Sequence, residues 1–167
     1  MSELSTVYLV RHAIAAERGE DYPDDAKRPL THNGIARMRK GVRGLRALDL
    51  KIDLVCTSPL VRAKQTAEIL VEGLKPSPTL QLMPVLAPGG SPPKVGEALA
   101  ALRDPKSVAL VGHEPDLGEF AAWLLGARRP LPLRKGGVCR IDLTGPPAHR
   151  AGQLIWLVVP KMLRALA

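Results

Sequence analysis

Apolar residues in this chain gather in short runs, and their spacing switches between the alternation that marks strands and the three-to-four-residue repeat that marks helices. Residues 4 to 10 are free of charge and rich in β-branched and aromatic types, which predicts a strand ending where Arg11 and His12 begin. Residues 11 to 30 form a long polar connection. From Thr31, placed to cap, Ile35, Met38, Val42 and Leu45 fall on one helical face, with Arg37, Arg39, Lys40, Arg43 and Arg46 around the rest. That basic surface reads as a solvated face whose long stems cover apolar neighbours, against the alternative of docking an acidic partner.

A second run, "IDLVCTS", leads straight into "PLVRAKQTAEILVEGL". Ser58 suits the N-cap and Pro59 the first helical position, while Leu60, Ala63, Ala67, Leu70 and Leu74 keep helical spacing. Residues 73 to 93 are rich in Pro and Gly, with a short strand near 79 to 83, and residues 94 to 103 predict a further helix. "SVALVGHEPDLGEFAAWLLG" repeats the strand-to-helix junction: a strand through Val111, then Gly112 and His113, then Pro115 opening a helix with Leu117, Phe120, Ala121, Leu124 and Leu125 on its buried face. "VCRIDL" alternates as an edge strand would, and "QLIWLVV" reads as a buried strand. No internal repeat or low-complexity tract interrupts the pattern.

Strands alternating with helices predict an α/β three-layer sandwich, with helices on both faces of a mostly parallel sheet and an antiparallel C-terminal hairpin. At 167 residues the chain fits one domain, residues 1–167. With 46% hydrophobic and 24% charged residues it has the balance of a globular protein. The net charge of +8 favours anionic partners. Tyr8, Tyr22, Phe120, Trp123 and Trp156 are too few and scattered to stack single-stranded bases, so nucleic acid is not the expected partner. Cys56 and Cys139 sit in apolar stretches as packing thiols of a reducing compartment, and no metal-ligand spacing occurs. No basic flank precedes a long apolar segment, and no apolar run approaches the roughly 20 residues that span a bilayer. The expectation is a cytoplasmic protein without membrane association.

Open α/β sheets bind ligands at the carboxyl ends of their strands. There the pattern delivers Arg11 and His12 after the first strand, Arg62 in the helix after the second, and His113 after a later one. Free N–H groups at two helix starts add to the attraction for an anion. Two guanidiniums, two imidazoles and two helix N-termini describe a pocket for a phosphoryl group.

The stretches "LVRHA", "RPLTHNG", "TSPLVRAKQTA" and "LVGHEPDLG", in this order and spacing, resemble the histidine phosphatase superfamily, whose hallmark is Arg-His-Gly near the N-terminus. The short length and "RPLT" are most similar to its SixA-type phosphohistidine phosphatase branch. The resemblance implies a phosphoglycerate mutase-like fold. It also implies a phosphatase that uses no metal or other cofactor, with His12 as nucleophile and Arg11, Arg62 and His113 holding the phosphoryl oxygens. Ala13 stands where the family has glycine, which puts the local backbone to the test. The region that supplies a catalytic glutamate in mutase-like members, "LMPVLAPGGSPP" here, contains no acid. Glu17, Glu20, Asp21, Asp24, Asp25 and Glu114 are the carboxylates left to consider.

Missing an acid suits a phosphohistidine substrate, whose protonated imidazole leaves neutral and needs little help, better than an alkyl phosphate. Short loops leave the pocket open to a phosphorylated side chain of another protein. The competing readings are a phosphatase of small phosphorylated metabolites and a non-catalytic module that binds phosphate or nucleic acid. His32 is expected at a helix start and His149 in a surface turn. "RKGGV" leads into a strand, although Lys135 within it could reach a phosphate.

Overall fold

The computed structural model describes residues 3–167, so the first two residues of the expected 1–167 unit lie outside the described residues. Six strands form one sheet: β1 (Thr6–Arg11), β2 (Leu54–Thr57), β3 (Thr79–Leu82), β4 (Ser107–Gly112), β5 (Val138–Leu143) and β6 (Gly152–Val158). Five helices surround them: α1 (His32–Leu45), α2 (Val61–Gly73), α3 (Pro92–Ala100), α4 (Asp116–Leu125) and α5 (Pro160–Ala165). The strand order is β3-β2-β4-β1-β5-β6, with the first four strands parallel and β5 and β6 antiparallel to their neighbours.

Alternation along each central strand sorts side chains between two cores. Tyr8 and Val10 of β1, Val55 of β2 and Ala109 and Val111 of β4 pack on one face with α1, α2 and α5. Val7, Leu9, Leu54, Cys56, Val108 and Leu110 pack on the other with α3 and α4. Strands buried on both faces lose the polar alternation of a half-exposed sheet, which is why β1, β2 and β4 read as unbroken apolar runs. Burial pushes the thiols of Cys56 and Cys139 up to about 12, so both are packing groups. No helix among the described residues is long and apolar enough to cross a membrane.

Three local expectations are corrected. β5 lies inside the sheet between β1 and β6, and the edge on this side is β6, where Leu154 and Ile155 are 43% and 41% exposed. With β1 already on one side of β5, the antiparallel pairing with β6 falls on the other. The polar residues of β5 satisfy each other there: Arg140 Nε and Nη2 donate to Asp142 at 3.0 and 3.2 Å, and Thr6 Oγ1 donates to Asp142 at 3.0 Å. α3 begins at Pro92, two residues before the expected start, because prolines are well suited to a helix's first turn, and it ends at Ala100, short of the expected 103. Ser58 is not the cap of α2 and Pro59 is not its first residue: the chain bends at Pro59 and Leu60, Leu60 in extended conformation takes the cap position, and helix begins at Val61.

Candidate active site

Strand register decides what meets at the carboxyl edge of the sheet. Arg11 at the end of β1 pairs with Gly112 at the end of β4, and Thr57 of β2 pairs with Val111. The next residues, His12, His113 and Ser58, therefore leave three adjacent strands at one level. His12 N–H donates to the Gly112 carbonyl at 3.0 Å and Ser58 N–H to that of Val111 at 3.0 Å. The His12 and His113 rings stand 5.3 Å apart between centroids. Arg62, one residue into α2, projects to the same place and is buried with both histidines.

His12 is set up as a nucleophile by one short bond. Its Nδ1 lies 2.7 Å from the Ala13 carbonyl oxygen, which can only accept, so Nδ1 carries the hydrogen and Nε2 keeps its lone pair. Burial lowers the His12 pKa to about 4; the bond to Ala13 works against the shift, while the charges of Arg62, Arg11 and Lys135 add to it. The imidazole is thus neutral near pH 7. Ala13 takes no positive φ, so the residue in the usual glycine position is unstrained. Its N–H donates to Thr66 Oγ1 at 3.0 Å, and that hydroxyl donates to the Arg62 carbonyl at 2.8 Å, tying the nucleophile's loop to α2.

Ser58 supplies what the expected cap does not. Its Oγ accepts from Leu60 N–H at 3.3 Å and stands 2.8 Å from His113 Nε2. With the hydroxyl proton given to Nε2, His113 Nδ1 is left as a donor. Burial first, and the neighbouring His12, Arg62 and Arg11 after it, lower the His113 pKa to about 3, so the ring is neutral in the free protein. Among the described residues, the buried side-chain polar atoms without a partner are Arg11 Nε, Arg62 Nε and His113 Nδ1. Orphaned buried polar atoms are costly and rare, and all three fall on the residues that the sequence assigns to one pocket.

The two arginines are held from different sides. Arg11 Nη1 donates to the Leu133 carbonyl at 3.0 Å, and Gly136, at φ +81°, folds the turn before β5 back onto Arg11, its N–H donating to the Arg11 carbonyl at 3.1 Å. Lys135 is thereby brought close enough for its charge to act on His12. Arg62 donates through Nη1 to the Asp25 carbonyl at 2.9 Å and through Nη2 to its carboxylate at 3.1 Å. Arg28 Nε also donates to Asp25, at 2.8 Å, and Arg18 lies 3.3 Å from it. Partial burial would raise the Asp25 pKa, but the hydrogen bonds and charges of Arg28 and Arg62 outweigh it and hold the carboxylate below its ordinary value. An ionised carboxylate so engaged orients Arg62 and is a poor proton donor.

The other carboxylates are placed as plainly. Glu114 Oε1 accepts from Gly118 N–H at 2.8 Å at the start of α4; burial raises its pKa. Glu17, Glu20, Asp21 and Asp24 lie on exposed parts of the long loop. His32 begins α1 and His149 is exposed in the hairpin turn, both away from the pocket. The sequence reading missed the roles of Ser58, Thr66 and Asp25. Only Ser58 carried a signal, its position directly after a strand; the Asp25 contact spans 37 residues and leaves no local trace.

This geometry can bind a tetrahedral oxyanion and present a neutral imidazole nitrogen to its centre. Residues 7–87 match the model of the histidine phosphatase superfamily (branch 1). An uncharacterized protein of Picosynechococcus sp. is 41% identical over 168 residues, covering 94% of this chain and 98% of its own. The phosphohistidine phosphatase SixA of Escherichia coli is 30% identical over 139 residues, covering 82% and 84%. The solved structure of the protein histidine phosphatase SixA complexed with tungstate superposes with a TM-score of 0.83 at 28% identity, covering 95% of this chain and 99% of that one.

Proposed function

Because this chain belongs to the histidine phosphatase superfamily and is a phosphatase, we propose that its reaction is removal of the phosphoryl group from phosphohistidine on a protein, without a metal, through a phosphohistidine formed on His12. His12 Nε2 attacks phosphorus in line. The N–P bond of the substrate breaks as the new one forms, and the substrate imidazole departs with the proton it already carries. Water then attacks the phosphoryl group on His12, releasing inorganic phosphate and restoring the neutral ring. Arg11, Arg62 and His113 face the equatorial oxygens, where charge is greatest in the transition state, and their rigid attachment means little reorganisation is needed there.

The observation that carries this reading is the tautomer of His12: a neutral ring, with Nδ1 tied to Ala13, among donors that have no other partner. The state of the carboxylates favours an N–P substrate, since Asp25 is held ionised by arginines and Glu114 is engaged at a helix start. A relative bearing the name phosphohistidine phosphatase, and a neighbour that holds tungstate, a tetrahedral oxyanion, support the same substrate class.

Parallel assays on a phosphohistidine protein and on a sugar phosphate, each with and without chelator, test the proposal. It predicts a higher kcat/KM on the phosphohistidine protein and no effect of chelator. Preference for the sugar phosphate would overturn the substrate class, and inhibition by chelator would overturn metal independence.

A further inference from the structure

The chemistry above leaves a second concentration of charge unused. Beside the end of β1 opens a cleft of about 590 Å³ whose polar lining is Arg11, Arg37, Arg134, Lys135, Lys161 and Arg164. The rest of the lining is apolar, and no carboxylate faces it. These cations come from separate places: α1, the turn before β5, and α5 at the far end of the chain. Among the described residues, Arg37, Arg134, Lys135, Lys161 and Arg164 make no ion pair, whereas across the pocket Asp25 alone engages Arg18, Arg28 and Arg62. The fold partly offsets the charge on one rim of the site and leaves the other without a partner.

Like charges gathered in a concave surface focus a positive field that only an outside anion relieves. Arg37 therefore separates from Arg39, Lys40 and Arg43, which the sequence groups with it on one basic helix face: these three are exposed without lining the cleft. Arg11 lines the cleft and its charge acts on His12, as does that of Lys135, so the groove adjoins the phosphoryl pocket.

We propose that the cleft docks an acidic segment of the substrate protein, with Asp and Glu carboxylates flanking the phosphohistidine, and that Arg37, Lys161 and Arg164 select among phosphorylated proteins. The proposal rests on the phosphohistidine reading. Guanidinium forks match carboxylates in geometry as well as charge. No aromatic side chain lines the cleft, so nucleobases find nothing to stack on.

The test uses two synthetic peptides of equal length, each with one phosphohistidine, flanked by Asp and Glu in one and by Asn and Gln in the other, together with phosphoimidazole. The wild-type protein is expected to favour the acidic peptide by about tenfold in kcat/KM, mainly through KM, with the preference fading as salt rises toward ~1 M. The triple variant Arg37→Glu/Lys161→Glu/Arg164→Glu should lose that preference and keep its kcat/KM on phosphoimidazole. The corresponding Gln variant gives the same comparison without added negative charge.

Equal use of the two peptides by a wild-type protein that hydrolyses phosphoimidazole would overturn the docking role and leave the substrate reading standing. Turnover of a sugar phosphate but of neither peptide nor phosphoimidazole would overturn the substrate reading, and the docking role with it. Stronger competition by a DNA duplex than by a polyglutamate of equal charge would assign the cleft to nucleic acid and overturn the proposal.

Discussion

The protonation of His12 is imposed by its surroundings. An imidazole in water is half-charged near pH 6.5, but one sealed between two strand ends and facing two guanidiniums meets both desolvation and repulsion on taking up a proton. Its folded pKa, about 4, and that of His113, about 3, lie below the unfolded value. The unfolded chain therefore binds these protons first as the pH falls. The stability conferred by keeping both rings neutral is complete above about pH 6.5 and declines as pH drops from there toward 4. NMR titration of the free protein should find these two rings titrating near pH 4 and 3, and urea unfolding should give a lower stability at pH 5 than at pH 7. Ring titrations near 6.5 would show that the pocket does not enforce the neutral state.

The elements deliver these residues through register and close helix contacts, and here the sequence was legible unevenly. β1, β2 and β4 announce themselves as apolar runs ending on Arg11, Thr57 and Gly112, so the edge where Arg11, His12, Arg62 and His113 meet was readable from pattern alone. The antiparallel pairing of β5 with β6 was legible too, but not their places in the sheet, because an alternating strand can sit inside a sheet when its polar residues pair with each other, as Arg140 and Asp142 do. Ser58 was legible as a residue at a junction but not in its role, since its partner His113 is 55 positions away. The seating of α5 was equally hidden. A Cβ at Gly44 of α1 would collide with the Leu163 backbone carbonyl, whereas one at Gly41 would meet the Leu163 side chain at an ordinary 3.9 Å. Gly44→Ala should therefore cost about 1–3 kcal/mol in thermal or urea unfolding. Gly41→Ala should be neutral or stabilising by up to about 1 kcal/mol through helix propensity. Equal effects of the two would show that α5 is not packed this closely.

At the scale of the molecule, the charge of +8 is organised rather than spread. Part of it is internal to the pocket and part, around Asp25, is offset by one carboxylate. A further part faces outward in the cleft beside Arg11. The sheet brings residues separated by up to 102 positions, Arg11 and His113 at the extremes, to one edge, and the proposed reaction requires phosphorus to visit His12. Rapid quench of the protein with a 32P-labelled phosphohistidine substrate, followed by peptide mapping under alkaline conditions that preserve N–P bonds, tests this most directly. The predicted result is a transient label, approaching one per chain, on Nε2 of His12 and absent from the His12→Ala variant, which folds but does not turn over. Undiminished turnover by that variant, or label appearing only as inorganic phosphate while His12 stays unmodified throughout the reaction, would contradict it.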